Sequence, residues 1–350
     1  MKKSKKVVIG MSGGVDSAVS AYLLKEKGYD VVGVTMQIWE TDYDGGCCGL
    51  SAIDDARKVA DMLGIEHYVL NFRDDFKKHV VDNFVAEYKI GRTPNPCIAC
   101  NRYIKWQSLL TKSLQLGADY IATGHYAKIA TANNRFAIQR SDAGAKDQSY
   151  ALFNLTQEQL KHTLFPLGEY SKDKIREIAN TLKLEVANKP DSQEICFIPD
   201  NNYGNYLEQY LDTQEGNFID INGEKIGKHK GIIYYTIGQR KNLGMTFGKP
   251  MYVKKILPEA NDVMLADDKD IFDDHLTAED VNFMYKELIT GSMRVFAKIR
   301  YSHTPAPATI SFENGVLHCV FDSPQRAVTP GQAAVFYDAD GNIICGGTIK

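Results

Sequence analysis

Gly10-Met11-Ser12-Gly13-Gly14-Val15-Asp16-Ser17 is the stretch on which the reading of this chain turns. It follows the short apolar run Lys6–Gly10 and opens an amphipathic pattern over Ser17–Lys27 that Gly28 closes. Strand, glycine turn and helix in that order have a plain physical use. Paired glycines let the backbone come close to an anion, and the first helical turn aims free N–H groups at it. No Lys-Ser/Thr follows the last glycine, and the dinucleotide spacing is absent, so this is neither a Walker A loop nor a Rossmann fingerprint. Ser12 and Ser17 add hydroxyl donors. Asp16 would repel a phosphate on its own and makes sense as a Mg²⁺ contact.

Working outward, the alternation continues. Val31–Met36 and Glu66–Asn71 read as strands, Ile53–Leu63 as a helix stopped by Gly64. Phe76–Tyr88 and Tyr103–Leu116 read as helices, and Gly117 ends the second before the strand Tyr120–Ala122. This predicts an α/β fold with a doubly wound, mostly parallel sheet, whose ligands sit at the C-terminal strand ends. The loops Gly10–Val15, Gln37–Gly49 and Thr123–Tyr126 fall there. Ser171 is a predicted N-cap for a further helix ending near Leu182. From about Phe218 the texture changes to short β-rich runs: Ile232–Ile237, Pro250–Ile256, Arg294–Tyr301, Thr309–Phe312 and Ala333–Tyr337. Gly, Asn, Asp and Pro turns separate them, an all-β pattern in two barrel-like pieces. The expected division is a nucleotide-binding domain over 1–200, a small central domain over 201–275 and a C-terminal β-barrel over 276–350.

Composition limits the function classes. A chain of 350 residues, 44% apolar and 24% charged, is ordinary for a soluble globular protein. Its longest apolar runs are far too short to span a bilayer, and no membrane partner is expected. The basic start, Met1–Lys6, leads into a strand-length run rather than a signal-peptide core, so a cytoplasmic protein is expected. A net charge of −3 argues against nucleic-acid binding by bulk charge, though not by local patches. Seven cysteines, an odd number, point away from a disulfide scaffold and towards metal or redox chemistry.

Two cysteine segments stand out. Cys97-Ile98-Ala99-Cys100 follows Gly91-Arg92-Thr93-Pro94-Asn95-Pro96, whose prolines are expected to exclude helix until Cys100. A C-x-x-C pair is half a metal site, a redox pair or two thiols in a turn. Cys196, in Asp191-Ser192-Gln193-Glu194-Ile195-Cys196-Phe197, reads by itself as a small buried hydrophobe. Cys319 and Cys345 lie in β-patterned runs and read as core. Cys47-Cys48 lies in the predicted loop after the second strand and reads as non-catalytic.

The glycine loop resembles that of the PP-loop ATP pyrophosphatases, whose SGGxDS motif holds the pyrophosphate of ATP. That class splits ATP to AMP and pyrophosphate and leaves an adenylated oxygen, a good leaving group. On this resemblance Gly10, Met11, Ser12, Gly13, Gly14, Val15, Asp16 and Ser17 bind ATP, with Met36 and Gly124 completing the adenosine pocket. Gly10–Ser17, Gly91–Asn101, Ala122–Tyr126, Lys146–Tyr150, Ile195–Ile198, Thr236–Arg240, Arg300–Tyr301 and Thr329–Val335 resemble, in order and nearly end to end, the tRNA-specific 2-thiouridylase (MnmA/TrmU) family.

The family resemblance implies that ATP adenylates the C2 oxygen of the wobble uridine in tRNAs for Lys, Glu and Gln. It implies that Cys196 receives sulfur as a persulfide from a cysteine desulfurase or its relay protein. Cys100 is then the partner nucleophile, releasing sulfide or closing a disulfide with Cys196. Asn95, Pro96 and Cys97 would lie beside the flipped target base. His125, Lys146, Asp147, Gln148, Arg300, Tyr301 and Gln332 would touch tRNA, Arg300-Tyr301 pairing a phosphate donor with a stacking ring. One departure is notable. Many family members carry Asp where this chain has Cys97, and that Asp is the natural general acid/base. The substitution also makes Cys97, Cys100 and Cys196 the ligand count of a [4Fe–4S] cluster with one open iron, which would hold a hydrosulfide in place of a persulfide relay. The implied cofactors are ATP and Mg²⁺, with that cluster as an alternative sulfur carrier. The rival readings are another PP-loop ligase and an RNA-binding protein with structural Zn²⁺ and an inactive nucleotide loop.

Overall fold

A computed structural model describes residues 4–39, 50–132, 134–190, 195–198 and 202–350. Strands β1 (Lys6–Gly10), β2 (Asp30–Gln37), β3 (Glu66–Asn71) and β4 (Tyr120–Ala122) form, with β7 (Thr163–Leu164), one parallel sheet in the order β3-β2-β1-β4-β7. A small antiparallel hairpin, β5 (Lys128–Ala132) and β6 (Arg135–Gln139), interrupts the sequence between β4 and β7. Three strands of this sheet, β1, β3 and β4, match the sequence reading residue for residue.

Alternation along β1 explains the double winding. Val7 and Ile9 face one buried cluster with Val19 and Leu24 of the helix Val15–Glu26, Ala56 and Val59 of Leu50–Leu63, and Ile175 of Lys172–Thr181. Val8 points the other way, into a larger cluster holding Phe76, Val80, Phe84, Ile104 and Leu109. Both faces of a parallel sheet must be covered, and here helices cover both. Ser171 caps its helix as expected, its hydroxyl accepting from Lys174 N at 3.3 Å.

Two expectations need correction. Helix begins at Pro96, not after Cys100: Pro96–Ala99 is α-helical, Cys100–Leu109 is π-helical and Leu110–Gln115 is α-helical again. Proline at the first helical position needs no N–H there and already has a helical φ, so Pro96 starts the helix instead of blocking it. The run over 232–237 is not a strand; Ile232–Tyr234 forms a 3₁₀ turn packed on the central domain.

Beyond the sheet, β8 (Gly216–Ile219), β9 (Lys225–His229), β10 (Tyr252–Leu257) and β11 (Asp262–Ala266) form a four-stranded sheet, ordered β10-β11-β8-β9. Strands β12 (Phe272–Phe283), β13 (Ser292–Lys298), β14 (Ala306–Glu313), β15 (Val316–Arg326), β16 (Ala333–Tyr337) and β17 (Ile343–Ile349) close into a barrel. Pairing of β12 with β17 removes the open edge. Cys319 and Cys345 lie inside this barrel, where burial pushes the Cys319 thiol up to about 12 and the Cys345 thiol higher than its usual range. Thiols that hold their protons so firmly are poor nucleophiles, which fits core packing. No helix among the described residues is long and apolar enough to cross a membrane.

Four histidines give the fold a pH dependence. Burial holds the imidazoles of His67, His125, His229 and His303 below the ordinary histidine range. A depressed folded pKa means the unfolded chain binds more protons just below its own value of about 6.5. This contribution is therefore complete above that pH and lost as pH falls below it. Exposed His275, raised by its bond to Asp274, opposes the trend weakly. Thermal unfolding at pH 5.5 should give a lower Tm than at pH 7.5, by about 2–4 °C for each kcal/mol lost. A Tm that is flat or rises on acidification refutes this account.

Candidate active site

The glycine loop leaves β1 and enters the helix Val15–Glu26 with Gly14 as its N-cap. Met11 N donates to Val34 O at 2.8 Å and Thr35 Oγ1 donates to Met11 O at 2.8 Å, tying the loop to β2. Gly13 has φ +66°, and a Cβ there would lie 2.4 Å from Ala52 O. Only glycine fits. Ser17 Oγ donates to Gly14 O at 3.0 Å and accepts from Ser12 N at 3.2 Å, so this hydroxyl shapes the loop from within.

Asp16 is held by partners far away in sequence. Lys172 Nζ donates to both carboxylate oxygens at 2.8 Å, and Tyr126 Oη donates to Oδ1 at 2.7 Å. Lysine in the first turn of its own helix opposes the helix dipole, so tertiary pairing explains Lys172 better than local preference does. On the other side of the loop, Lys189 Nζ donates to Gly13 O at 3.2 Å and to Asp55 Oδ2 at 2.7 Å. Sequence reasoning missed Lys172 and Lys189, because nothing local marks them as neighbours of the loop; Tyr126 lies in the expected ligand-facing loop Thr123–Tyr126, but its bond to Asp16 was not foreseen.

The loop after β4 presses directly on the nucleotide loop. A Cβ on Gly124 would lie 2.8 Å from Ser17 N and 2.9 Å from the Asp16 carbonyl carbon. His125 Nδ1 shares a 2.7 Å hydrogen bond with Thr123 Oγ1, and its ring packs beside Trp106 and Phe165. Burial first, then the charge of Lys105, keeps this imidazole neutral near pH 7. Met36, half-buried near the end of β2, packs on the larger core cluster.

Asn95 caps the cysteine helix, its Oδ1 accepting from Cys97 N at 3.1 Å. Cys97 is exposed and Cys100 half-buried at the start of the π-helical segment. Such segments recur at functional sites because they re-aim side chains. Asn101 is buried, donating to Ala151 O at 2.9 Å and accepting from Lys105 at 2.8 Å. Cys196 is half-buried, and its neighbour Phe197 is enclosed by Trp39, Phe76, Phe84 and Tyr206 at ring distances of 5.2–5.9 Å. Cys100 and Cys196 pack against the same core cluster. No group of three or more His, Cys, Asp or Glu that could hold a metal ion is found among the described residues. Cys97, Cys100 and Cys196 are therefore not gathered as a cluster's ligand set. Cys47 and Cys48 lie outside the described residues.

The residues expected to meet tRNA fall into two kinds. Lys146 and Tyr301 are exposed and Arg300 is half-buried. Asp147 is only 3% exposed and accepts from Ser141 N at 2.8 Å, Ser141 Oγ at 3.2 Å and Ser149 Oγ at 2.6 Å. Gln148 Oε1 accepts from Tyr126 N at 2.9 Å, and Gln332 Nε2 donates to Thr93 O at 2.8 Å. Asp147, Gln148 and Gln332 thus spend polar groups inside the protein. Buried Lys298 lies over the rings of Tyr150 and Tyr301, at 5.7 and 5.5 Å, and burial lowers its pKa.

A parallel sheet with a phosphate-cradling glycine turn at its central strand defines a nucleotide-activating class of enzyme, here carrying two β domains and a nearby cysteine helix. Family models described as the tRNA methyl transferase HUP domain, PRC-barrel domain and aminomethyltransferase β-barrel domain match residues 5–200, 204–267 and 273–349. A tRNA-specific 2-thiouridylase of Lachnoclostridium phytofermentans is 58% identical, covering 99% of each chain. Its namesake from Clostridium perfringens is also 58% identical over 99% of this chain and 98% of that one. The Clostridioides difficile protein of the same name is 54% identical over 100% and 99%. The chain belongs to the tRNA-specific 2-thiouridylase family. The domain descriptions speak of methyl transfer, but full-length relatives at this identity outweigh a domain label. Among solved structures, the U34-tRNA thiolase NcsA of Methanococcus maripaludis covers 59% of this chain and 68% of its own at 24% identity. Its TM-score of 0.37 is too low to bear on function.

Proposed function

We propose that this chain catalyses ATP-dependent 2-thiolation of the wobble uridine of tRNA, giving 2-thiouridine, AMP and pyrophosphate. The observation that carries the reading is 58% identity along 99% of relatives named for that reaction. The glycine loop supports it: a turn with Gly13 at φ +66° opening a helix suits a bound phosphate, and its resemblance to PP-loop ATP pyrophosphatases implies cleavage between the α and β phosphates with Mg²⁺. Residues 1–200 would then hold the chemistry, with 201–275 and 276–350 as tRNA-facing domains. The C2 oxygen attacks the α-phosphorus and pyrophosphate leaves, so the poor leaving group at C2 becomes AMP. Asp16 would be the Mg²⁺ contact in this reading, and its bonds to Lys172 and Tyr126 keep it aimed. Met36 and Gly124 border the adenosine.

Sulfur arrives from a desulfurase-fed relay as a persulfide on Cys196. Its terminal sulfur attacks C2 and AMP departs with the oxygen. The Cys100 thiolate then attacks the Cys196 sulfur and breaks the S–S bond. This leaves 2-thiouridine and a Cys100–Cys196 disulfide, which an external thiol reduces. A thiolate is the attacking form in each step. The persulfide route needs no cluster, and no step passes through one. Asn95, Pro96 and Cys97 sit beside the target base, and Lys146, Arg300 and Tyr301 contact the anticodon arm of tRNAs for Lys, Glu and Gln. His125, neutral at pH 7, lines the pocket as a hydrogen-bonding group.

The test is thiolation of a defined tRNA transcript by the purified chain, with ATP, a cysteine desulfurase and cysteine as the persulfide donor, and a thiol reductant, read by nucleoside mass spectrometry. Expected are 2-thiouridine and AMP in equal amounts, from protein free of iron. Product that appears only with iron-loaded protein removes the persulfide route. No 2-thiouridine under any loading removes the proposal.

A further inference from the structure

We infer that the turn Pro330-Gly331-Gln332 of the C-terminal barrel is a positioning element for the cysteine helix, acting through Thr93. Thr93 is gripped on both backbone groups by this turn. Its N–H donates to Pro330 O at 2.9 Å and its carbonyl accepts from Gln332 Nε2 at 2.8 Å. Gly331, at φ +90°, lies so close that a Cβ would be 2.9 Å from Thr93 N. The turn itself is nailed to the barrel: Gly331 N donates to Ile349 O at 2.9 Å and Ile349 N to Gln332 O at 2.8 Å.

Neighbouring residues complete the grip. Arg92 reaches Ile349 O at 3.2 Å and Glu279 at 3.2 Å, both in the barrel, and Glu87 at 2.9 Å in its own domain. Thr93 Oγ1 donates to Thr236 Oγ1 at 3.3 Å, and a Cβ on Gly91 would strike Ile256 and Pro258 of the central domain. What the barrel sets at Thr93 passes on with little slack. Pro94 and Pro96 have fixed φ, Thr93 is itself restricted by the following proline, and Asn95 between them is locked as the N-cap. The start of the helix bearing Cys97 and Cys100 is thus dictated from a domain about 240 residues further along the chain.

The inference deepens the proposed thiolation and gives Gln332 a different role from tRNA contact. It is tested on the full chain with Gln332→Ala, which removes the donor, and Gln332→Glu, which sets a carboxylate against the Thr93 carbonyl. Three readouts are compared with wild type: the turnover rate of thiolation, the affinity for tRNA, and the alkylation rate of Cys100 without tRNA, followed by peptide mass spectrometry. Positioning predicts at least a tenfold slower turnover, at least a threefold change in Cys100 alkylation, and tRNA affinity within twofold of wild type. Gln332→Glu should be the worse of the two. Weakened tRNA binding with unchanged Cys100 alkylation overturns the inference and makes Gln332 a nucleotide contact. Wild-type protein that thiolates nothing, while Cys100 alkylation still responds to Gln332, overturns the proposed reaction and leaves the positioning intact. Gly331→Ala should act in the same direction and more strongly; if it fails to fold, the two Gln332 variants decide.

Discussion

Cys196→Ser is expected to abolish thiolation, by about 10³-fold or more, while leaving tRNA-dependent release of pyrophosphate in place. A hydroxyl cannot carry a persulfide, and its oxygen stays protonated where a thiol ionises. Phe197, next to Cys196, is the larger anchor of this segment among Trp39, Phe76, Phe84 and Tyr206, and serine is close to cysteine in size. The variant should therefore fold and bind nucleotide. Cys100→Ser should stop turnover but allow one sulfur transfer at most, since the resolving thiol is gone. Cys97→Asp, which restores the acid common in the family, should keep at least half of wild-type activity without iron. Radiolabelled sulfur followed into tRNA and onto the protein reads all three. A Cys196→Ser variant that turns over, or a Cys97→Asp variant active only after iron loading, contradicts the thiol mechanism.

Gly124→Ala carries the second large expected effect. The added methyl would meet Ser17 N at 2.8 Å, the Asp16 carbonyl carbon at 2.9 Å and Asp16 Cβ at 3.1 Å. Two of those atoms are backbone in the first turn of the loop's helix, so no flexible side-chain tip can swing aside. Either the β4 loop or the nucleotide loop must move, and Asp16 would lose its alignment with Lys172 and Tyr126. A shift of about 1 Å in such a site costs on the order of 10²-fold in rate. Overpacking also costs about 1–3 kcal/mol of stability. ATP binding by calorimetry and pyrophosphate release should both fall steeply. Gly117→Ala is the control: its φ is +81° with open space around it, so it should cost stability yet leave ATP affinity unchanged. Equal ATP binding by Gly124→Ala and wild type would show that the two loops are not rigidly coupled.

How much of this is legible in the chain depends on the range of the interaction. Lys6–Gly10, Glu66–Asn71, Tyr120–Ala122 and Ala333–Tyr337 appear at their expected bounds, because apolar runs and turn residues are local signals. Pro96 misleads because a proline that blocks a helix interior starts one at the first position, and only the Asn95 cap tells the two apart. The run over 232–237 has β-prone residues, but packing makes it a 3₁₀ turn.

The nucleotide loop tells the same story at the level of the site. By itself the sequence determined the strand-turn-helix of Gly10–Ser17, the family and the cysteines worth testing, since each rests on residue order and spacing. Tertiary structure alone decided who touches them. Lys172 reaches Asp16 across 156 residues, and Gln332 reaches Thr93 across 239. Asp147 and Gln148, expected to touch tRNA, bond Ser141, Ser149 and Tyr126 within the protein. The physical reason is that a hydrogen bond requires two groups within about 3 Å and in line, a condition that chain order does not encode and packing of the three domains does.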